Sequence, residues 1–145
     1  GRESLWNAIF GWYDEYFSVQ FVPDNTSEAP PTLIEEKREP TVPDDWEKEV
    51  LLDNGFTYYV LYSHNGEETV EYTQDILDNS GVKYDNEATV IEETTVNGCE
   101  GYWIDLTDKG TLILIWQDGS YSYDIMCNSK EFERGFIMEM AESVK

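Results

Sequence analysis

The sequence predicts an α+β domain: an antiparallel sheet of about six to seven strands flanked by N-terminal and C-terminal helices. Three observations lead there. Short β-rich runs are punctuated by Asn54-Gly55, Asn65-Gly66, Asn97-Gly98, Asp108-Lys109-Gly110 and Asp118-Gly119, and such pairs supply the positive φ values that tight hairpins demand. The run from Thr111 to Trp116 is apolar on both parities, so both faces of that strand need cover and it belongs in the sheet interior. Apolar stripes at helical spacing stand at the two ends of the chain.

Taken in order, residues 2 to 17 place Leu5, Ile9, Trp12, Tyr13 and Tyr16 at helical spacing, widened by Trp6, Phe10 and Phe17. Residues 1–22 are thus expected to form an aromatic helix, packed on the sheet or lying just outside a membrane, where Trp and Tyr collect at headgroup level. Residues 23–45 carry Pro30, Pro31, Pro40 and Pro43 with a mixed-charge run. They resist both helix and ladder, and a tether of the kind that joins modules or wraps a domain is expected. Asn25-Thr26-Ser27 matches the short N-glycosylation pattern. Residues 46–145 then form the single α+β domain. Strands are expected near residues 47 to 53, 56 to 63, 67 to 74, 89 to 96, 99 to 106, 111 to 117 and 120 to 127, with a loop or short helical turn over 75 to 86. Asn128 to Glu131 has the form of a capping box. It leads into a helix with Phe132, Phe136, Ile137, Met140 and Val144 inward, weakened at Gly135 by about 1 kcal/mol relative to alanine.

Charge narrows the partners. Thirty-one acidic residues against nine basic ones give a formal charge of -22, a field that repels phosphate backbones and anionic headgroups, so no nucleic-acid partner is expected. No apolar stretch approaches the ~18 residues of a membrane span, and no signal peptide is apparent. Gly1 reads as a residue left after removal of a tag, so membrane attachment is expected only through an upstream segment.

Chemistry is sparse. His64 is the one histidine, and its place before an Asn-Gly turn already accounts for its surroundings. Phosphate-binding glycine loops, a nucleophile elbow and EF-hand spacing do not occur. Asp75, Asp78, Asn79 and Asp85, Asn86, Glu87 are loose clusters only. No enzyme activity, cofactor or metal is therefore expected. Cys99 and Cys127 fall at opposite ends of a three-strand meander with a strand between them, too far for the ~7 Å Cα separation of a bridge, so two unbridged thiols are expected. The remaining lead is aromatic. Trp103 and Tyr59 sit on strand parities opposite their apolar neighbours and are candidates for stacking on a sugar or peptide ligand. If a helix covers that second face, both rings are core instead.

Five segments carry a resemblance: Arg38-Glu39-Pro40, Val42-Pro43-Asp44-Asp45-Trp46, the stretch Thr95 to Trp103 reading TVNGCEGYW, the stretch Leu114 to Tyr121 reading LIWQDGSY, and Met140 to Lys145 reading MAESVK. In these, the chain from about Arg38 to Lys145 resembles the domain of unknown function 4367 family of Gram-positive bacteria, chiefly clostridia. Trp6 to Phe21 resembles the stretch that follows a transmembrane helix in many members. The resemblance implies an extracytoplasmic, membrane-anchored module with a PsbP-like sandwich fold, some members having a cytoplasmic anti-sigma-factor-like region across the membrane. It brings no catalytic or ligand residues, and Cys99 departs from the polar residue or histidine expected there. The function expected is a non-catalytic extracytoplasmic sensory or interaction domain of a membrane-anchored regulator, with an unidentified ligand or protein as partner. The alternative is a cell-wall carbohydrate or peptide binding module.

Overall fold

In the computed structural model of the chain, residues 6–12, 16–23, 29–79, 82–85 and 89–145 are described. The main sheet is seven-stranded and antiparallel. Numbered in chain order, its strands are β3 (Glu47–Asp53), β4 (Thr57–His64), β5 (Glu68–Ile76), β7 (Thr89–Val96), β8 (Cys99–Leu106), β9 (Thr111–Gln117) and β10 (Tyr121–Asn128), and they lie in the order β3-β4-β5-β10-β9-β8-β7. A smaller sheet, in the order β1-β2-β6, comprises β1 (Trp6–Trp12), β2 (Tyr16–Pro23) and β6 (Val82–Asp85). Among the described residues one α-helix, α1 (Arg134–Glu142), stands near the end of the chain, and Leu77–Asn79 form a 3-10 turn. No helix among the described residues is long and apolar enough to cross a membrane.

The hairpin turns form where the Asn-Gly and Asp-Gly pairs stand. Asn97 and Gly98 adopt φ of 51° and 79°, the left-handed conformation that lets two strands reverse without splaying. Gly101 answers a different need: a Cβ there would stand 3.1 Å from the Ile115 carbonyl oxygen, so a side chain would crowd β9 and press the two strands apart by a few tenths of an ångström. As its two-sided apolarity requires, β9 is interior, between β10 and β8, with Leu112 to Gln117 all buried.

The N-terminal helix expected over residues 1–22 is not present in the described part; β1 and β2 pair there as a hairpin, from Trp6 opposite Pro23 to Trp12 opposite Phe17. The reason is legible afterwards. Phe17-Ser18-Val19-Gln20-Phe21 alternates with period two, aromatic and β-branched residues favour strands, and the helical spacing upstream is interrupted by Gly11. Among the described residues the sheet is accordingly flanked by one helix, α1, and not by two. One face is covered by α1 and the irregular segment before β3. On the other, Phe21 of β2 is buried with Leu77, Tyr102, Ile104, Leu106, Ile113 and Ile115, its ring 6.4 Å from that of Tyr102. The C-terminal helix also begins later than the capping box suggests. The Asn128 side chain accepts from the Lys130 amide at 2.8 Å and its carbonyl from Glu131 and Phe132, closing a turn on the end of β10, while Glu133 is the N-cap without a side-chain bond. Phe132, Ile137, Met140 and Val144 are buried as the stripe requires, joined by Ala141, and Phe136 is half-buried.

Within the 23–45 stretch, residues 29–45 are irregular, and 34 to 42 run as a strap across the helix-side face. Ile34 and Val42 pack against the core there. Asn25, Thr26 and Ser27 lie outside the described residues.

Candidate functional site

The strap is held by side chains that a purely apolar sheet face would lack. On the helix-side face, β4, β5 and β10 present Tyr58, Tyr62, Tyr72, Gln74, Tyr121 and Tyr123, all buried. A buried hydroxyl or amide without a partner costs roughly 1–3 kcal/mol, and the strap supplies partners. The Tyr72 hydroxyl donates to the Arg38 carbonyl at 2.7 Å. Gln74 donates to the Glu36 carbonyl at 3.0 Å and accepts from the Arg38 amide at 2.9 Å. Tyr58 donates to Glu39 at 2.7 Å, and the Tyr121 hydroxyl accepts from the Glu35 amide at 3.0 Å. Burial works to raise the pKa of Glu39, yet hydrogen bonds from Lys48 and Tyr58 carry it below the ordinary carboxylate value.

Arg38 ends this row. Its guanidinium stands 5.5 Å over the Tyr121 ring and donates to Asp118 at 2.6 Å and to the Tyr123 hydroxyl at 2.8 Å. Burial disfavours its charge, but Tyr123, Asp118 and Glu36 raise its proton affinity above the usual arginine level. Its Nε is buried with no hydrogen-bond partner. Beside it opens a cleft of about 340 Å³, lined by Arg38, Val96, Asn97, Cys99, Trp116, Asp118, Tyr123, Val144 and Lys145. Trp116 and Tyr123 stack in its floor, centroids 5.3 Å apart and 22° from parallel. Asn97 donates its amide to the Glu142 carbonyl at 3.1 Å, fixing the end of α1 against the β7-β8 turn. The cleft can therefore take a small ligand with an apolar body and a negatively polarised end.

The sequence candidates lie elsewhere. Trp103 is 6 % exposed in the helix-side core, and the Arg134 guanidinium stands 5.2 Å over its ring. Tyr59 is half-buried on the opposite face and donates to Glu71; burial first, then Glu71, push its pKa up to about 12. The two rings face opposite sides of the sheet and do not converge. His64 stacks on Trp46 at 5.9 Å and stands 3.0 Å from Asp45. Cys99 and Cys127 are in no disulfide; Cys127 is a core residue whose thiol is pushed up to about 12 by burial and Glu131, while Cys99 is half-buried on the cleft rim. Among the described residues no group of three or more His, Cys, Asp or Glu side chains is placed to hold a metal ion; Asn86 and Glu87 lie outside them. The signal that sequence reading passed over is Arg38, one of nine basic residues in the chain, inside a motif but with no periodicity to mark it.

A family model described as a domain of unknown function (DUF4367) matches residues 38–144. No curated protein and no solved structure matches the chain.

Proposed function

The chain belongs to the DUF4367 family, and on that premise we propose that it is a non-catalytic extracytoplasmic sensory or interaction domain of a membrane-anchored regulatory protein. The reading includes a Gram-positive, clostridial setting, a PsbP-like sandwich and anti-sigma-factor-like signalling across the membrane. The observation that supports it is convergence. Four of the five segments that carry the family resemblance contribute to one cleft: Arg38 from the strap, Asn97 and Cys99 from the β7-β8 turn, Trp116 and Asp118 from the end of β9, and Val144 and Lys145 after α1. Two basic residues line it, Arg38, which is paired with Asp118, and Lys145, in a chain of net charge -22. A small carboxylate-bearing ligand with an apolar body fits this chemistry, and ligand occupancy would reach the end of α1 and the strap together.

The second reading is a cell-wall carbohydrate or peptide binding module. It is favoured by the hydrogen-bonding groups of Asn97, Asp118 and Arg38 around the Trp116 floor. Isothermal titration with soluble cell-wall fragments and with free amino-acid carboxylates separates the two. Heat from either, abolished by Cys99→Trp in the cleft mouth, is the expected result; silence from both at millimolar ligand removes the cleft as a ligand site. Location is tested separately, by labelling Cys99 in intact cells making the full-length protein with a membrane-impermeant maleimide. Protection from the reagent that is relieved only on lysis overturns the extracytoplasmic reading.

A further inference from the structure

We propose that β3 is a docking edge, to which a partner protein adds an extended segment bearing lysine or arginine as a further antiparallel strand. Among the described residues β3 has one neighbour, β4, and is the terminal strand of the large sheet. All seven of its residues are exposed. Val50, Leu51 and Leu52 are 46 %, 44 % and 43 % exposed, and Phe56 and Leu33 beside them 45 % and 50 %. An edge of this kind is normally blunted by proline, charge, a bulge or a covering loop; β3 has a bulge at Leu51 and acidic charge at Glu47, Glu49 and Asp53, a sign that repels like strands but not basic ones. Here Pro is missing from the strand, and its one lysine, Lys48, is turned to Glu39 of the strap. The irregularity between Val50 and Leu52 lies in the pairing with β4, which sets Leu51 out of register with the sheet.

Charge selects the occupant. A second copy pairing antiparallel about a two-fold axis would set Glu47 opposite Asp53 if centred on Val50, or Glu49 opposite Asp53 if centred on Leu51. Like charges directly opposite are destabilising, and each copy brings a net -22. The β4 register puts Glu47, Glu49 and Leu52 on the face of Ser63, Leu61 and Tyr59, the face that also carries Glu71 of β5. No lysine or arginine of β3, β4, β5 or β10 lies on it. A strand with basic residues interleaved with aliphatic ones satisfies the open backbone, sets its aliphatic face beside Val50 and answers Glu47 and Glu49 with its basic one. The site is separate from the Arg38 cleft and stands without it.

The test is amide hydrogen exchange of the intact chain, at about 0.15 M salt to screen diffuse attraction, with a capped alternating Lys-Val peptide and its Glu-Val counterpart. Slowing by about tenfold or more, confined to residues 47–53 and neighbouring β4 and given by the Lys-Val peptide alone, is expected. The double variant Glu47→Lys/Glu49→Lys, exposed and so without a folding cost, should lose that protection, and Leu52→Lys should weaken it. Cys99→Trp should retain it, so that failure of the cleft and failure of the edge are told apart. Equal protection by both peptides, protection spread over the molecule, or protection of β3 that grows with protein concentration alone would overturn the proposal, the last by showing a second copy on the edge.

Discussion

Tyr123 and Asp124 are adjacent in β10 and meet opposite circumstances. The Tyr123 ring is buried beneath the strap, with its hydroxyl between the Arg38 guanidinium and Asp118. Asp124, one residue on and therefore across the sheet, is half-buried, with its carboxyl among Asp75 and Glu71. Burial first, then those two neighbours, push its pKa from 3.8 up to about 8. The helix-side face thus accepts polar groups because an irregular segment brings each a partner. The opposite face divides into an aliphatic half around Ile104, Ile113 and Ile115 and a carboxylate half in which Asp124 holds its proton to higher pH than an ordinary aspartate. Retaining the proton is the cheaper course where like charges share a poorly solvated site. Burying polar groups is therefore a question of what lies across from them.

The two faces share β9, whose side chains enter both. Leu114 and Ile113 are both fully buried, one on each face. Each substitution to alanine should cost roughly 2–5 kcal/mol in urea unfolding. A cost under about 1 kcal/mol for Ile113→Ala would mean that the hairpin side is no core at all. The next effect is on pH. A carboxyl whose folded pKa lies above its unfolded value stabilises the fold in full below the unfolded pKa of 3.8, and loses that contribution as pH climbs through about 8. Stability from Asp124 therefore falls between these limits, by on the order of 2 kcal/mol once screening of a half-buried group is allowed for. Asp124→Asn should flatten this slope and raise the urea midpoint at pH 8 more than at pH 5; an unchanged slope would show that Asp124 is ionised throughout. On the strap side, Tyr72→Phe removes the hydroxyl that meets the Arg38 carbonyl. It should cost roughly 1 kcal/mol and speed proteolysis between residues 34 and 42, whereas a strap without hold on the sheet would be cut equally fast in both proteins. Smallest and opposite in sign is Gly135→Ala in α1. An added Cβ there meets nothing within 4 Å, so the variant should gain about 1 kcal/mol, read as a higher melting temperature.

The seven strands of the large sheet were legible because each signal is local. Asn97-Gly98 and Asp118-Gly119 set their turns by backbone φ, and the alternation of Tyr121, Tyr123, Ile125 and Cys127 sets the buried parity of β10. The first hairpin was not legible in the same way, because apolar and aromatic residues from 5 to 17 satisfy a helical period while 17 to 21 satisfy a strand period. Both patterns are present, and pairing with β6 across some sixty residues is not a local property. The cleft was legible only as scattered motifs. Arg38, Asn97, Trp116 and Lys145 are far apart in the chain, and neither charge nor spacing says that they meet.

By itself, the sequence determined the antiparallel sheet, the interior place of β9, the inward stripe of the last helix and a net charge of -22. These follow from residue periodicity, turn dihedrals and composition, which act over a few residues or over the whole chain at once. Tertiary structure alone decided that residues 34 to 42 lie along the sheet, that Arg38 closes a cleft with the end of α1, that Asp124 faces other carboxylates, and that β3 is left open at the edge. Each depends on which distant segment is brought opposite a side chain, and the energy of a buried polar group is set by that neighbour instead of by its own place in the sequence.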